Sequence, residues 1–337
     1  MMMSTASSPV GEPEVTVIMP VHNGAAFIEE AIRSIQSQTL KAWELIVLDD
    51  GSTDNSPLLA DRLAAVDNRI RVVRLPRVGL AAALNRGIDE ARAPWVARMD
   101  ADDVSLPERL ERQLAFLQVH PDVAAVGAFG WMIGETGKVV GISRVGPTSY
   151  EQFRVLRERS LVYLLTPSVV FSREVALKLG KFQDTYSPGE DVEFWTRIAD
   201  DHTVLVVPDV LLRYRIHARS QSTEHIMAIN QNLKRAWANT QRRRAGEPDC
   251  SEDEWFVTER IRPLYRRARE RSQWRGQAWY RRGASQLAAG QVKGFVLLAA
   301  ASVLAPKLVL KRLSKQEVVP VLHRKFREHL RTWQGGW

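Results

Sequence analysis

Three short acidic runs and one polar turn hold the residues of this 337-residue chain that are best equipped for chemistry. Asp49-Asp50-Gly51-Ser52, Asp100-Ala101-Asp102-Asp103 and Glu190-Asp191 bring carboxylates together, and Pro20-Val21-His22-Asn23 adds an imidazole and an amide. Neighbouring carboxylates can hold a hard divalent cation, accept a hydrogen bond from an amide N–H, or take a proton from a hydroxyl as a general base. The plainer reading is that each run forms a turn or caps a helix. Recurrence of such runs at equivalent places in one pattern weighs against it for the set.

That pattern is strand, loop, helix. Val15 to Met19 is a short apolar run ended by Pro20, and Asn23-Gly24 opens an amphipathic stretch from Ala25 to Gln38. Trp43 to Leu48, Ile70 to Leu75 and Trp95 to Met99 read as further strands, and Ser56 to Val66 and Gly79 to Arg92 as the helices between them. Strands alternating with helices predict a parallel sheet covered on both faces. Ligands of such sheets bind beyond the carboxyl ends of the strands, where three of the four polar segments fall. Later in the chain, a helix is expected near Pro107 to Val119, a strand from Thr203 to Pro208, and a helix opened by Glu190-Asp191.

Taken in order, Val17-Ile18-Met19-Pro20-Val21-His22-Asn23-Gly24, Asp49-Asp50-Gly51-Ser52-Thr53-Asp54, Gly79…Asn85-Arg86-Gly87, Asp100-Ala101-Asp102-Asp103 and Gly189-Glu190-Asp191-Val192-Glu193-Phe194-Trp195 resemble the family 2 glycosyltransferases of the GT-A fold. The resemblance spans roughly Val15 to Ser222. It implies an α/β fold of GT-A type, with a Rossmann-like mixed, mostly parallel sheet and an α-helical C-terminal extension. It further implies transfer of a sugar from a nucleoside-diphosphate sugar to an acceptor hydroxyl, by a single displacement with inversion.

The same likeness distributes roles. Asp102 is expected as the direct ligand of Mn2+ or Mg2+, with Asp100 toward the ribose or the metal, because two carboxylates two residues apart in an extended segment face one way. Asp103 is expected to cap the following helix. Asp50, ahead of Asp49, would accept from a base edge, which suits uracil and favours a UDP-sugar donor. Pro20, Val21, His22, Asn23, Gly79, Asn85 and Ala101 would line the nucleotide-sugar pocket, and Arg77 stands where many relatives have Asn. Arg215 or His217 would reach the diphosphate. Asp191 would be the general base, with Glu190 orienting it. Thr166 begins a segment similar to the family's acceptor-side strand, and Trp195 has the shape to stack on an acceptor sugar or to fill a core. The processive Gln-x-x-Arg-Trp motif is absent from the sequence, which points to addition of one sugar per acceptor.

Composition limits the rest. Hydrophobic residues at 45% and charged residues at 26% are the mix of a folded globular chain. Lone Cys250 excludes an internal disulfide and a multi-thiolate metal site and fits a reducing compartment or indifference to redox; the setting expected is cytoplasmic. No signal peptide is legible in residues 1–14, which read as a flexible leader, and no run reaches the length of a membrane span. The boundaries expected are a catalytic domain over 15–225 and a basic helical region over 226–337. From Lys234 onward, 23 Lys/Arg face 9 Asp/Glu, while the whole chain carries only +8. Arg242-Arg243-Arg244 and Arg266-Arg267-x-Arg269-x-Arg271 lie near Trp255, Trp274 and Trp279. That interleaving suits the anionic inner face of a membrane bearing a lipid-linked glycan acceptor. A soluble helical subdomain or a homodimer interface is the alternative, and no nucleic-acid module accompanies the charge. Two rival functions stand beside surface-polysaccharide synthesis: a sugar-nucleotide nucleotidyltransferase, for which Pro20 to Gly24 makes a poor triphosphate loop, and a non-catalytic glycan- or membrane-binding scaffold.

Overall fold

The computed structural model describes residues 12–216, 225–288 and 293–306. Its first half is the predicted alternation: β1 (Val15–Val21), α1 (Ile28–Gln36), β2 (Trp43–Asp50), α2 (Ser56–Ala64), β3 (Ile70–Leu75), α3 (Leu80–Glu90) and β4 (Trp95–Arg98). β1 and β2 are buried along their whole length, as expected of continuous apolar runs covered on both faces. β3, at the edge, is only partly covered. α3 lies flush on the sheet because Gly87 has no side chain: a Cβ there would come within 2.8 Å of Ile18 and of Leu48.

The chain continues through β5 (Val104–Ser105), α4 (Arg109–Val119), β6 (Val123–Ile133), β7 (Val139–Ser143), α5 (Tyr150–Arg159), β8 (Val170–Ser172), α6 (Arg173–Lys178), α7 (Glu190–Asp201) and β9 (Thr203–Arg215). The strand order is β3-β2-β1-β4-β8-β6-β9-β5, with β7 paired to β6. Pairing is parallel from β3 to β4, and beyond β4 it is antiparallel except between β6 and β9. The acidic turn therefore leaves β4 where the sheet changes direction, a place open to ligands.

β9 runs past the proline expected to end it. Its register with β6 steps from Val207 opposite Ala128 to Val210 opposite Phe129, so Pro208 and Asp209 bulge out of the ladder. A bulge tolerates the missing N–H, and the strand goes on to carry Tyr214 and Arg215 to the acidic turn.

Four helices follow in the described residues: α8 (Ile226–Arg244), α9 (Glu252–Arg260), α10 (Leu264–Ala288) and α11 (Gly294–Leu304). The break expected at Glu247-Pro248-Asp249 separates α8 from α9, and Ser251 with Glu254 forms a capping box that starts α9. α8 is bound tightly to the catalytic body. Asn232 donates to the Pro188 carbonyl at 3.1 Å, Asn239 to the Tyr186 hydroxyl at 2.8 Å, and Arg235 lies 4.1 Å over the Tyr186 ring while donating to the Thr185 carbonyl. Arg243 and Arg244 both pair with Asp200 at the far end of α7. No helix among the described residues is long and apolar enough to cross a membrane.

Candidate active site

β4 ends in Arg98, and the residues after it form a turn: the Asp103 N–H bonds the Asp100 carbonyl at 3.3 Å. This corrects the extended geometry expected for Asp100-x-Asp102. The turn gathers three carboxylates instead of two, and one oxygen from each of Asp100, Asp102 and Asp103 lies within 4.8 Å of the others. Asp103 does not cap α4, whose N-terminal boundary is Glu108. It is buried, its Oδ1 accepts from the Arg215 N–H at 2.7 Å, and its Oδ2 has no hydrogen-bond partner among the described residues.

Burial, then the charges of Asp102 and Asp100, push the Asp103 carboxyl well above the usual carboxylate range. Asp100 is raised by burial too, against the pull of Arg98, whose Nη1 lies 2.5 Å from its Oδ2. Burial alone would lower the Arg98 guanidinium, but Asp100 and Asp191 raise it overall. Tyr214 is also raised, by burial and by Asp103. Crowded hard oxygens with a buried unpaired carboxylate atom suit a divalent cation such as Mg2+ or Mn2+.

Across from the turn stands the start of α7. Glu190 is buried, takes the Gly189 N–H at 2.9 Å, and is pushed up to about 7 by burial and by Asp191. Asp191 is held by two donors, the Thr166 hydroxyl at 2.6 Å on Oδ2 and the Val192 N–H at 2.8 Å on Oδ1. Trp195 has no exposed surface and packs among Phe171, Phe182 and Phe194. It therefore cannot stack on a sugar. Its indole N–H points at the Thr166 hydroxyl at 3.4 Å, so it backs the residue that holds Asp191.

The polar residues at the other strand ends are bound to one another. The His22 Nδ1–H donates to the Asp50 carbonyl at 2.9 Å, and Nε2 lies 3.2 Å from the Asn23 amide. Asn23 adopts a left-handed φ of 55° and accepts from the Thr53 N–H at 2.8 Å, stapling the loop after β1 to the loop after β2. Asp49 accepts from the Ser52 N–H at 3.1 Å and pairs with Arg74. The Asp50 carboxylate takes the Val78 N–H at 2.5 Å, the Gly79 N–H at 3.0 Å and the Arg77 Nη1 at 3.2 Å. It anchors the loop that opens α3. Pro20 and Val21 end β1 within the same cluster, and Ala101 sits in the acidic turn.

Two further expectations are corrected. Asn85 exchanges one hydrogen bond in each direction with the Phe182 backbone, at 2.8 and 2.9 Å, so it fastens α3 to the turn after α6 and its side chain is committed to that contact. Arg215 is buried, and its guanidinium donates to the carbonyls of Asp102, Gly134 and Glu135 and to the Glu30 carboxylate. It fixes the shape of the acidic turn from beneath, where the diphosphate was expected. His217 lies outside the described residues. Arg98 was missed in the sequence, although a lone arginine in the apolar run Trp95 to Met99 was the signal for it.

The Glycosyl transferase family 2 profile matches residues 16–179. The O-antigen biosynthesis glycosyltransferase WbnJ of Escherichia coli is 30% identical over 212 residues, covering 61% of this chain and 81% of that protein. Among solved structures, the mannosyltransferase PcManGT of Pyrobaculum calidifontis, in complex with GDP-Man and Mn2+, superposes with a TM-score of 0.54 at 22% identity, covering 95% of this chain and 88% of that one. TarS 1-349 of S. aureus in complex with UDP-GlcNAc gives 0.54 at 16% identity, covering 90% and 92%. The solved structures share the GT-A fold. Together with the sequence match, this makes the chain a member of glycosyltransferase family 2.

Proposed function

We propose that this enzyme transfers one sugar from a nucleoside-diphosphate sugar to a hydroxyl of a glycan or lipid-linked glycan, with inversion, in cell-surface polysaccharide synthesis. One observation carries the reading: Asp191 and the acidic turn share a single pole of the molecule, close enough that Asp191 and Asp100 both act on the Arg98 guanidinium. That proximity supports a reading in which one site holds both the base for the acceptor and the anchor for the leaving group.

Asp100, Asp102 and Asp103 are the residues that would hold the divalent cation. A bound cation supplies positive charge to the donor diphosphate. Asp191 accepts the proton of the acceptor hydroxyl as that oxygen attacks the anomeric carbon and the nucleoside diphosphate departs on the opposite face. Thr166 and the Val192 N–H keep the Asp191 carboxylate in one orientation, so attack geometry is set before the acceptor arrives. Arg98 holds Asp100 and offsets part of the repulsion between the acidic turn and Asp191. Glu190, pushed up to about 7 by burial and by Asp191, carries only part of a charge near neutral pH, and the N-terminus of α7 favours a carboxylate at Asp191.

The loops around His22, Asn23 and Asp50 form the floor for the nucleoside. UDP is the favoured donor nucleotide; the structural relatives hold UDP-GlcNAc in one case and GDP-Man in another. The test is thermal stabilisation by uridine, thymidine and guanosine diphosphates and their sugars, with and without Mn2+, on wild type and Asp102→Ala. A ligand at 100 times its dissociation constant adds about 2.7 kcal/mol. A metal-dependent shift with one base, lost in the variant, is expected. No shift with any nucleotide would replace this reading with a non-catalytic scaffold.

A further inference from the structure

α10 and α11 form an antiparallel hairpin with a close seam. A Cβ on Gly276 would come within 2.7 Å of Ala305, and one on Gly283 within 2.8 Å of the Gly294 carbonyl. Ala301 is fully buried at that seam, packed with Tyr280. The opposite side of α10 is tied to α8: Gln277 accepts from Asn230 at 3.2 Å, and Glu270 binds Lys234 at 2.9 Å. Trp274 lies under the same lysine.

These contacts leave one flank of α10 open. At about 100° per residue, Arg271, Arg275 and Arg282 fall together on it, away from both the seam and α8. Leu264, 77% exposed, lies on the same flank. α10 carries seven arginines, and its one acidic residue, Glu270, is already paired with Lys234 and Arg262. α11 has no charged residue in GFVLLAAASVL. Its back, opposite the seam, presents Val296 at 71% exposure and Val303 at 80%, with Ala299 between them. Because the helices run antiparallel, the side of α11 carrying Ala300 and Val296 adjoins the arginine flank.

Among the described residues, no acidic group pairs with these three arginines and nothing covers the apolar face beside them, an arrangement suited to a partner that is both anionic and apolar. Phospholipid headgroups over acyl chains have that chemistry. We propose that the α10–α11 hairpin is a membrane-docking element that takes the surface of an anionic bilayer, with α11 lying in the interface and the α10 arginines on the headgroup phosphates. The sequence after α11 adds eight Lys/Arg against two Glu, a charge of the same sign. This inference is independent of the donor and of the catalytic roles assigned above.

The experiment is co-sedimentation of the full chain with vesicles of phosphatidylcholine alone or with 30 mol% phosphatidylglycerol, at low and high salt. Wild type should bind the anionic vesicles only, and salt should release it. Each basic side chain at such a surface contributes about 1 kcal/mol, so R271E/R275E/R282E should lower the partition coefficient at least about 100-fold. V296S/V303S should lower it several-fold with the arginines intact, and both variants should keep the wild-type melting temperature and donor turnover. Equal binding to neutral vesicles, no binding to either, or binding unchanged in the arginine variant would overturn the proposal. So would a stable dimer in solution that V296S/V303S dissociates, since a second copy would then cover the face.

Discussion

The two halves of the strand-end rim treat their polar residues in opposite ways. On the side proposed for the nucleotide, Asn23, Asp49, Asp50 and Asn85 hold backbone groups of neighbouring loops. At the acidic pole, Asp103 Oδ2, Arg98 Nε and Arg109 Nη1 are buried with no hydrogen-bond partner among the described residues, and several carboxyls are displaced upward. The first region is shaped before any ligand arrives. The second stores uncompensated charge, which is destabilising by itself and is relieved when ligands bind. Motif residues that look equivalent in the sequence thus divide into those that build the site and those that act in it.

That contrast can be tested by substitution, beginning at the acidic pole. Asp191→Asn keeps the Thr166 and Val192 neighbours but cannot accept a proton, so turnover should fall about 10²–10⁴-fold with nucleotide binding intact. Steady-state kinetics beside calorimetric titration of the nucleotide would separate the two. Loss of binding in step with turnover would remove Asp191 from the role of base.

Glu190 tests the stored charge directly. Its folded pKa of about 7 lies above the ordinary 4.5, so its contribution to stability is whole below about pH 4.5 and is lost as pH rises through 7. The shift corresponds to about 3 kcal/mol. Glu190→Gln should therefore gain stability relative to wild type as pH increases from 5 to 8 in metal-free urea titrations. A difference that stays flat with pH would show that burial does not control this carboxyl.

The nucleotide side should respond in the opposite sense. Asn85→Ala removes two hydrogen bonds to the Phe182 backbone and should cost about 1–3 kcal/mol of stability, with kcat nearly unchanged at saturating donor. A preserved melting temperature with a raised donor KM would instead return Asn85 to the pocket. Arg77→Asn is the smallest step. Arg77 has a φ of 47°, which asparagine adopts more readily, and its bridge to Asp50 is exposed on the arginine side. A gain of a few tenths of a kcal/mol is expected, read by thermal melts, and a loss above about 1 kcal/mol would mean that the bridge anchors the loop.

How much of this was legible depended on the range of the interactions. The strands and helices up to β4 follow from local periodicity, and Val15 to Met99 folds as its pattern predicts. What escaped was set by partners far along the chain. Arg215 meets Glu30 and Asp102 only because β9 continues past Pro208. Trp195 is covered by Phe171 and Phe182 from other elements, and Asn85 finds its partner 97 residues away. The turn at Asp100 to Asp103 was read as extended because two-residue spacing was the one geometric cue there. The GT-A fold and the cluster at the strand ends were visible, while the role of each polar side chain within it depended on tertiary contacts.

The grip of α8 on the loop before Glu190 has a practical consequence for rearranging such enzymes. The profile match stops at residue 179, ahead of Glu190 and Asp191 and well ahead of the helix whose Asn232, Arg235 and Asn239 hold residues 185–188 in place. The smallest portable unit is therefore the sheet together with α8. A chimera joined at residue 225 would exchange the support of the loop before Glu190 along with the tail. A junction beyond Arg244, in the Glu247-Pro248-Asp249 break, would let tails be exchanged while leaving that support intact.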